Sequence, residues 1–270
     1  MAKIRLVTTD LDGTLLNSEG KLSSENKKAL QMAIEAGVIV TISTGRMFSS
    51  TLRFANEIGI TNPLICYNGA LIKEPLSQRV IRHTPLRMDL AREMLAYLKK
   101  RKAYVQSYID DILYVHDKEE FLAKDYERVY GIRGAAIGDL IYEPHIEPTK
   151  LLSMASSLED AHLLSNELRE RFGDAIYIAR SSAEFVEMMD ISVNKGVALK
   201  ALAESMGIAP DEILALGDGE NDVEMLRYAG IGCAVNNACT AAKAAAREEV
   251  PSNDENGVAW AVQQFILSDH

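Results

Sequence analysis

Asp10-Leu11-Asp12-Gly13-Thr14-Leu15, directly after the mainly apolar stretch Ile4 to Val7, decides how this chain is read. Two carboxylates stand one residue apart where a buried strand gives way to a turn. Alternation along an extended backbone puts Asp10 and Asp12 on the same side. Like charges this close resist joint ionisation unless a cation stands between them or one keeps its proton. A carboxylate that attacks, beside a carboxyl that carries a proton, is equipment for phosphoryl transfer. An isolated Asp-Leu-Asp-Gly also fits a tight Asp-Gly hairpin turn, so the rest of the chain has to arbitrate.

Two further strand ends carry matching chemistry. Val38-Ile39-Val40-Thr41-Ile42 is a β-branched run that reads as a buried strand, and it ends in Ser43-Thr44-Gly45-Arg46 before a helical pattern. Hydroxyls and backbone N–H groups at such a junction are natural phosphate ligands. Ile213-Leu214-Ala215-Leu216 is another short apolar strand, closed by Gly217-Asp218-Gly219-Glu220-Asn221-Asp222. In open parallel α/β sheets ligands bind outside the carboxyl ends of the strands, so three such ends point to one crevice. Lys195, in Asn194-Lys195-Gly196 ahead of a helical pattern, fits the set, although a lone lysine there is ordinarily an exposed first-turn residue. Arg46 is ambiguous between reaching a substrate and packing on the helix.

Strands alternate with helices over Ile4–Tyr67 and again from Lys195 to the C-terminal region, which predicts βαβ units and a parallel sheet. The pattern places helices at 24–36, 47–58, 221–229, 238–248 and 258–267. The stretch between differs in texture: a helix at 89–102, a hairpin turning at Asp110-Asp111, a charged helix at 118–130, then strand, helix and two strands. The fold class is therefore α/β, a Rossmann-like parallel-sheet core over 1–82 and 189–270 with an inserted α+β domain over 83–188. Lys150, Glu184 and Glu187 lie on strands of the insert whose register is undetermined. Trp260 reads as core.

Composition narrows the function classes. A formal net charge of -10 over 270 residues argues against a nucleic-acid binder and against an anionic membrane surface. No apolar run reaches the length of a membrane span, and the N-terminal residues lack a signal-peptide pattern. Cys66, Cys233 and Cys239 are odd in number and lack metal-ligand spacing, so they read as reduced packing residues of a cytoplasmic protein.

In order and spacing, Asp10–Leu15, Thr44-Gly45-Arg46, Asn194-Lys195-Gly196 and Gly217-Asp218 with Asn221-Asp222 resemble the motifs of the haloacid dehalogenase superfamily. Tyr67-Asn68-Gly69-Ala70 also looks like a segment of its Cof-type sugar-phosphatase branch, whose members carry a large C2-type cap. The likeness spans essentially the whole chain. It implies Asp10 as nucleophile, Asp12 as general acid and base, and Lys195 as the cation steadying both nucleophile and phosphoryl group. Thr44, Gly45, Lys195 and Asn221 would hold phosphoryl oxygens.

Converging carboxylates would repel a phosphate dianion: at about 4 Å and an effective dielectric near 20, each charge pair costs on the order of 4 kcal/mol. Mg²⁺ is the expected remedy. By resemblance, its acidic set is Asp10 (side chain), Asp12 (backbone carbonyl) and Asp218 (side chain), with Asp222 orienting a water or Lys195. The expected partner is a small phosphorylated metabolite, a sugar phosphate first, with flavin mononucleotide and pyridoxal phosphate open. The expected assembly is a monomer or small homo-oligomer. A phosphomutase and a non-catalytic phospholigand sensor are the alternatives.

Overall fold

The computed structural model describes residues 3–179 and 184–268. The chain divides into two compact units, Met1–Arg82 with Asn194–His270, and His83–Val193.

The first unit opens with β1 (Leu6–Thr9), buried at every residue, as a central strand of a parallel sheet must be. Helix α1 (Ser24–Glu35) starts where the Ser23 hydroxyl accepts from the Asn26 N–H. Strand β2 (Ile39–Ile42) leads to α2 (Phe48–Ile58), which stops at the left-handed Gly59. Next comes β3 (Leu64–Cys66), with β4 (Leu71–Lys73) and β5 (Val80–His83) completing a separate three-stranded sheet. Strands β4 and β5 are too short and irregular in pattern to be anticipated from the sequence.

The second unit holds α3 (Met88–Arg101), β6 (Gln106–Ile109), β7 (Ile112–Val115), α4 (Phe121–Tyr130), β8 (Ala135–Ala136), β9 (Lys150–Met154), α5 (Leu158–Phe172), β10 (Ile176–Ala179) and β11 (Phe185–Asp190). Its sheet runs β10-β11-β9-β6-β7-β8. Asp110 and Asp111 both have positive φ, the conformation a two-residue hairpin requires. Leu95 and Leu98 of α3 and Leu164 and Leu168 of α5 share a core with Leu151, Val186 and Met188. Lys150 and Glu187 alternate to the other face, where they form a buried pair at 2.9 Å. This unit runs on to Val193, because β11 continues through Asp190 and the Val193 N–H closes a turn onto the Asp190 carbonyl.

The chain returns with α6 (Lys195–Ser205), β12 (Ile213–Gly217), α7 (Val223–Tyr228), β13 (Ile231–Val235), α8 (Thr240–Ala245), β14 (Glu248–Val250) and α9 (Gly257–Val262). The parallel sheet has the order β14-β13-β12-β1-β2. Among the described residues no helix is long and apolar enough to cross a membrane.

Three local expectations are corrected. The alanine-rich helix stops at Ala245, and Glu248–Val250 pairs with β13 instead, so sheet pairing overrides alanine's helix propensity. The helix expected from Asn221 begins at Val223, after a 3₁₀ turn over Glu220–Asp222. Trp260 is 44% exposed, edge-on to Phe265, and is not core.

Candidate active site

Sheet register brings the remote motifs together. Strand β1 lies between β2 and β12, with Thr9 opposite Ile42 on one side and Leu216 on the other. The Asp10 N–H donates to the Leu216 carbonyl at 3.0 Å, and the Ser43 N–H donates to the Thr9 carbonyl at 2.9 Å. The three motif loops therefore leave the same sheet edge at the same level. Glycine is needed where they crowd: at Gly13, with φ +79°, a Cβ would fall 2.6 Å from Asp218 Oδ2.

Lys195 is the hub. It is the first residue of α6, whose preceding Asn194 side chain accepts from the Val197 N–H. Its ammonium is 0% exposed and donates to Asp10 Oδ1 at 2.7 Å and Asp222 Oδ1 at 2.6 Å. The other Asp222 oxygen accepts from the Asp218 and Gly219 N–H groups, each at 2.9 Å. Asp222 thus braces the loop that carries Asp218, which explains why a 3₁₀ turn replaces the first helical turn expected there.

Asp10, Asp218 and Asp222 each place a carboxylate oxygen within 4.8 Å of the others'. Burial raises the Asp10 carboxyl well above its ordinary value; Lys195 opposes the shift and Asp222, Asp218 and Asp12 add to it. Burial, then Asp222, pushes Asp218 up to about 6, partly offset by the Thr14 hydroxyl and Lys195. Burial disfavours the Lys195 ammonium, but the two carboxylates outweigh it and hold its pKa above the usual lysine value. One buried cation leaves the three carboxylates short of positive charge. An all-oxygen, carboxylate-rich donor set suits a hard divalent ion.

Thr44 and Gly45 follow β2. The Thr44 N–H donates to the Ile65 carbonyl, and its own carbonyl accepts from Asn68 N–H at 2.9 Å. Asn221 donates its side-chain amide to Asn68 Oδ1 at 2.9 Å, and a Cβ on Gly45 would sit 3.0 Å from that same oxygen. Asn68 therefore ties the second and last motifs together. It is buried and, like Tyr67, has positive φ, uncommon for residues other than glycine and concentrated at functional sites. Its role was not drawn from the sequence; the Asn68-Gly69 pair, which tolerates such a turn, was the available signal. Thr14, whose hydroxyl donates to Asp218 Oδ1 at 2.8 Å, was likewise missed.

Asp12 stands apart from this cluster. Its side chain is 53% exposed and both oxygens accept from Arg46, Oδ2 from Nε at 2.7 Å and Oδ1 from Nη2 at 2.5 Å. The ambiguity over Arg46 resolves to neither sequence-based reading alone.

A family model described as haloacid dehalogenase-like hydrolase matches residues 7–262. A 5-amino-6-(5-phospho-D-ribitylamino)uracil phosphatase of Bacillus subtilis, YcsE, is 30% identical over 98% of this chain and 96% of its own length. A second one from that organism, YwtE, is 29% identical over 99% and 100%. A solved structure from Thermotoga maritima is 30% identical with a TM-score of 0.86, covering 97% of both chains. A haloacid dehalogenase-like hydrolase from Bacteroides thetaiotaomicron is 26% identical with a TM-score of 0.89, covering 97% of this chain and 99% of its own. The chain belongs to the haloacid dehalogenase-like hydrolases, in their Cof-type phosphatase branch.

Proposed function

We propose that the protein is a Mg²⁺-dependent phosphatase that hydrolyses phosphate monoesters of small metabolites through an aspartyl-phosphate on Asp10. The buried Lys195 ammonium bound to Asp10 and Asp222, with Asp218 in the same carboxylate cluster, carries this reading. Asp10 Oδ attacks phosphorus as the bond to the leaving oxygen breaks, and Asp12 gives that oxygen its proton. Asp12 then takes a proton from a water that attacks phosphorus, which releases inorganic phosphate and frees Asp10. Lys195 balances the nucleophile's charge, while Thr44, the Gly45 N–H and Asn221 hold phosphoryl oxygens.

The Asp10 and Asp218 side chains and the Asp12 carbonyl would hold Mg²⁺, which supplies positive charge at the phosphoryl oxygens when bound. Asp222, with both oxygens already occupied by Lys195 and backbone N–H groups, is assigned to bracing Asp218. The setting proposed is the cytoplasm, in keeping with three cysteines that are not joined in a disulfide.

The relatives' named substrate is a ribityl phosphate, a polyol chain ending in a phosphate monoester. This supports sugar and polyol phosphates as the first substrates to assay, with flavin mononucleotide and pyridoxal phosphate beside them. The expected products are free phosphate and the dephosphorylated alcohol, with turnover abolished by EDTA and restored by Mg²⁺. An isomeric phosphate ester in place of free phosphate would identify a phosphomutase.

Metal binding is also testable through stability. The Asp218 value in the fold, about 6, lies above its ordinary 3.8. Its contribution to stability is thus complete below about pH 4 and is lost as pH rises through about 6, on the order of 2–3 kcal/mol. A divalent cation relieves that loss. Mg²⁺ should therefore raise the melting temperature more at about pH 7.5 than at about pH 5. An equal shift at both would contradict the carboxylate site.

A further inference from the structure

We propose that Arg46 is a positioning residue: its guanidinium fixes the orientation from which Asp12 hands over and takes back the proton. The inference rests on the phosphatase reading above. It concerns a residue outside the nucleophile, lysine and metal-ligand set.

The geometry is two-pronged. Nε and Nη2 of Arg46 donate to different oxygens of one carboxylate, at 2.7 and 2.5 Å, a fork-to-fork match only arginine makes. Surface ion pairs are commonly incidental, but this pair is lopsided: the arginine side chain is only 14% exposed. Its own placement is determined by the core. The Arg46 N–H donates to Thr44 Oγ1 at 3.2 Å, its carbonyl accepts from Tyr67 N–H at 3.0 Å, and its guanidinium lies 5.5 Å from the Phe54 ring centroid. Asp12 is the more exposed partner, its side chain 53% exposed on a loop. Among the described residues no other side chain hydrogen-bonds its carboxylate. Without Arg46, Asp12 would sample its rotamers in solvent, and a small misplacement of a proton donor is costly in rate.

Through this contact the loop after β2 acts twice, presenting Thr44 and Gly45 to the phosphoryl group and Arg46 to the group that serves the leaving oxygen. That arrangement would couple phosphate seating to proton transfer.

A double-mutant cycle tests the assignment. Wild type, Arg46→Ala, Asp12→Asn and the double variant are assayed with a sugar phosphate, whose alkoxide needs a proton. They are also assayed with p-nitrophenyl phosphate, whose leaving group does not. Arg46→Ala should slow the phosphoryl-transfer step, read from pre-steady-state alcohol or nitrophenol release, by about 10²-fold on the sugar phosphate and by distinctly less on the aryl phosphate. It should slow hydrolysis of the shared intermediate equally for both. In the Asp12→Asn background the same change should alter kcat by less than about threefold, because Arg46 acts through Asp12. Arg46→Lys, which keeps the charge and tests the contact if the alanine variant folds poorly, should recover little of the loss.

Additive losses would show that Arg46 acts directly on the substrate and would overturn the proposal, as would equal losses of the transfer step on both esters. Failure of the underlying reading looks different. Wild type would then release no phosphate, or Asp10→Asn would remain active, and the Arg46 assignment would fall with it.

Discussion

Asp10→Asn is expected to abolish phosphate release, with kcat reduced by at least roughly 10⁴-fold, while the protein folds normally. An amide oxygen is a poor nucleophile toward phosphorus, and no neighbouring group can take over. Asp222 is occupied by Lys195 and two backbone N–H groups, and Asp218 by the Thr14 hydroxyl. Stability should move the other way. Burial and the surrounding carboxylates raise the Asp10 pKa, which means the fold disfavours its charged form. A neutral isostere removes that repulsion, so the metal-free variant should melt at the same temperature as wild type or higher at about pH 7.5. Loss of activity with retained or increased stability separates a catalytic role from a structural one.

Lys195→Met should damage both properties. Removing the ammonium leaves Asp10 and Asp222 facing one another in a buried setting with their shared partner gone. Breaking one side of a buried pair costs about 3–5 kcal/mol. The deficit should shrink on acidification, because Asp10, already raised by burial, loses the cation that opposes the shift, and stability held by such a group returns as pH falls through its folded value. Urea unfolding at about pH 7.5 and about pH 5 checks this, and activity should fall by roughly 10³-fold or more. A variant equally destabilised at both values would remove Lys195 from the electrostatic centre. Lys195→Arg should not rescue it, since a fully enclosed ammonium site has no room for a planar guanidinium.

Much of this site was legible because its residues stand at strand ends, where sequence pattern is strongest. Buried strands β1, β2 and β12 are short apolar or β-branched runs, each ended by a glycine-containing polar cluster. Parallel pairing then places Asp10, Thr44 and Asp218 at one edge without further information. What stayed hidden depends on long-range geometry. Asn68 joins Asn221 across 153 positions of sequence, and Arg46 meets Asp12 across 34. Neither pairing leaves a periodic trace.

The edge strand β14 was obscured for another reason. Its Glu248 and Glu249 are exposed, and charge on an edge strand guards against unwanted pairing while erasing the alternation that would reveal it. Lys150 and Glu187 on the second unit's sheet were unreadable because one residue of register decides whether a strand side chain faces a core or the opposite surface.

Trapping the covalent intermediate tests the central claim most directly. The Asp12→Asn variant should form the aspartyl-phosphate from an aryl phosphate but hydrolyse it slowly, since Asp12 serves as base in the second step. Rapid acid quenching followed by peptide mass analysis should then find one phosphoryl group on the peptide that carries Asp10. A variant that releases nitrophenol while this peptide stays unmodified, or carries phosphate at another residue, would contradict the account.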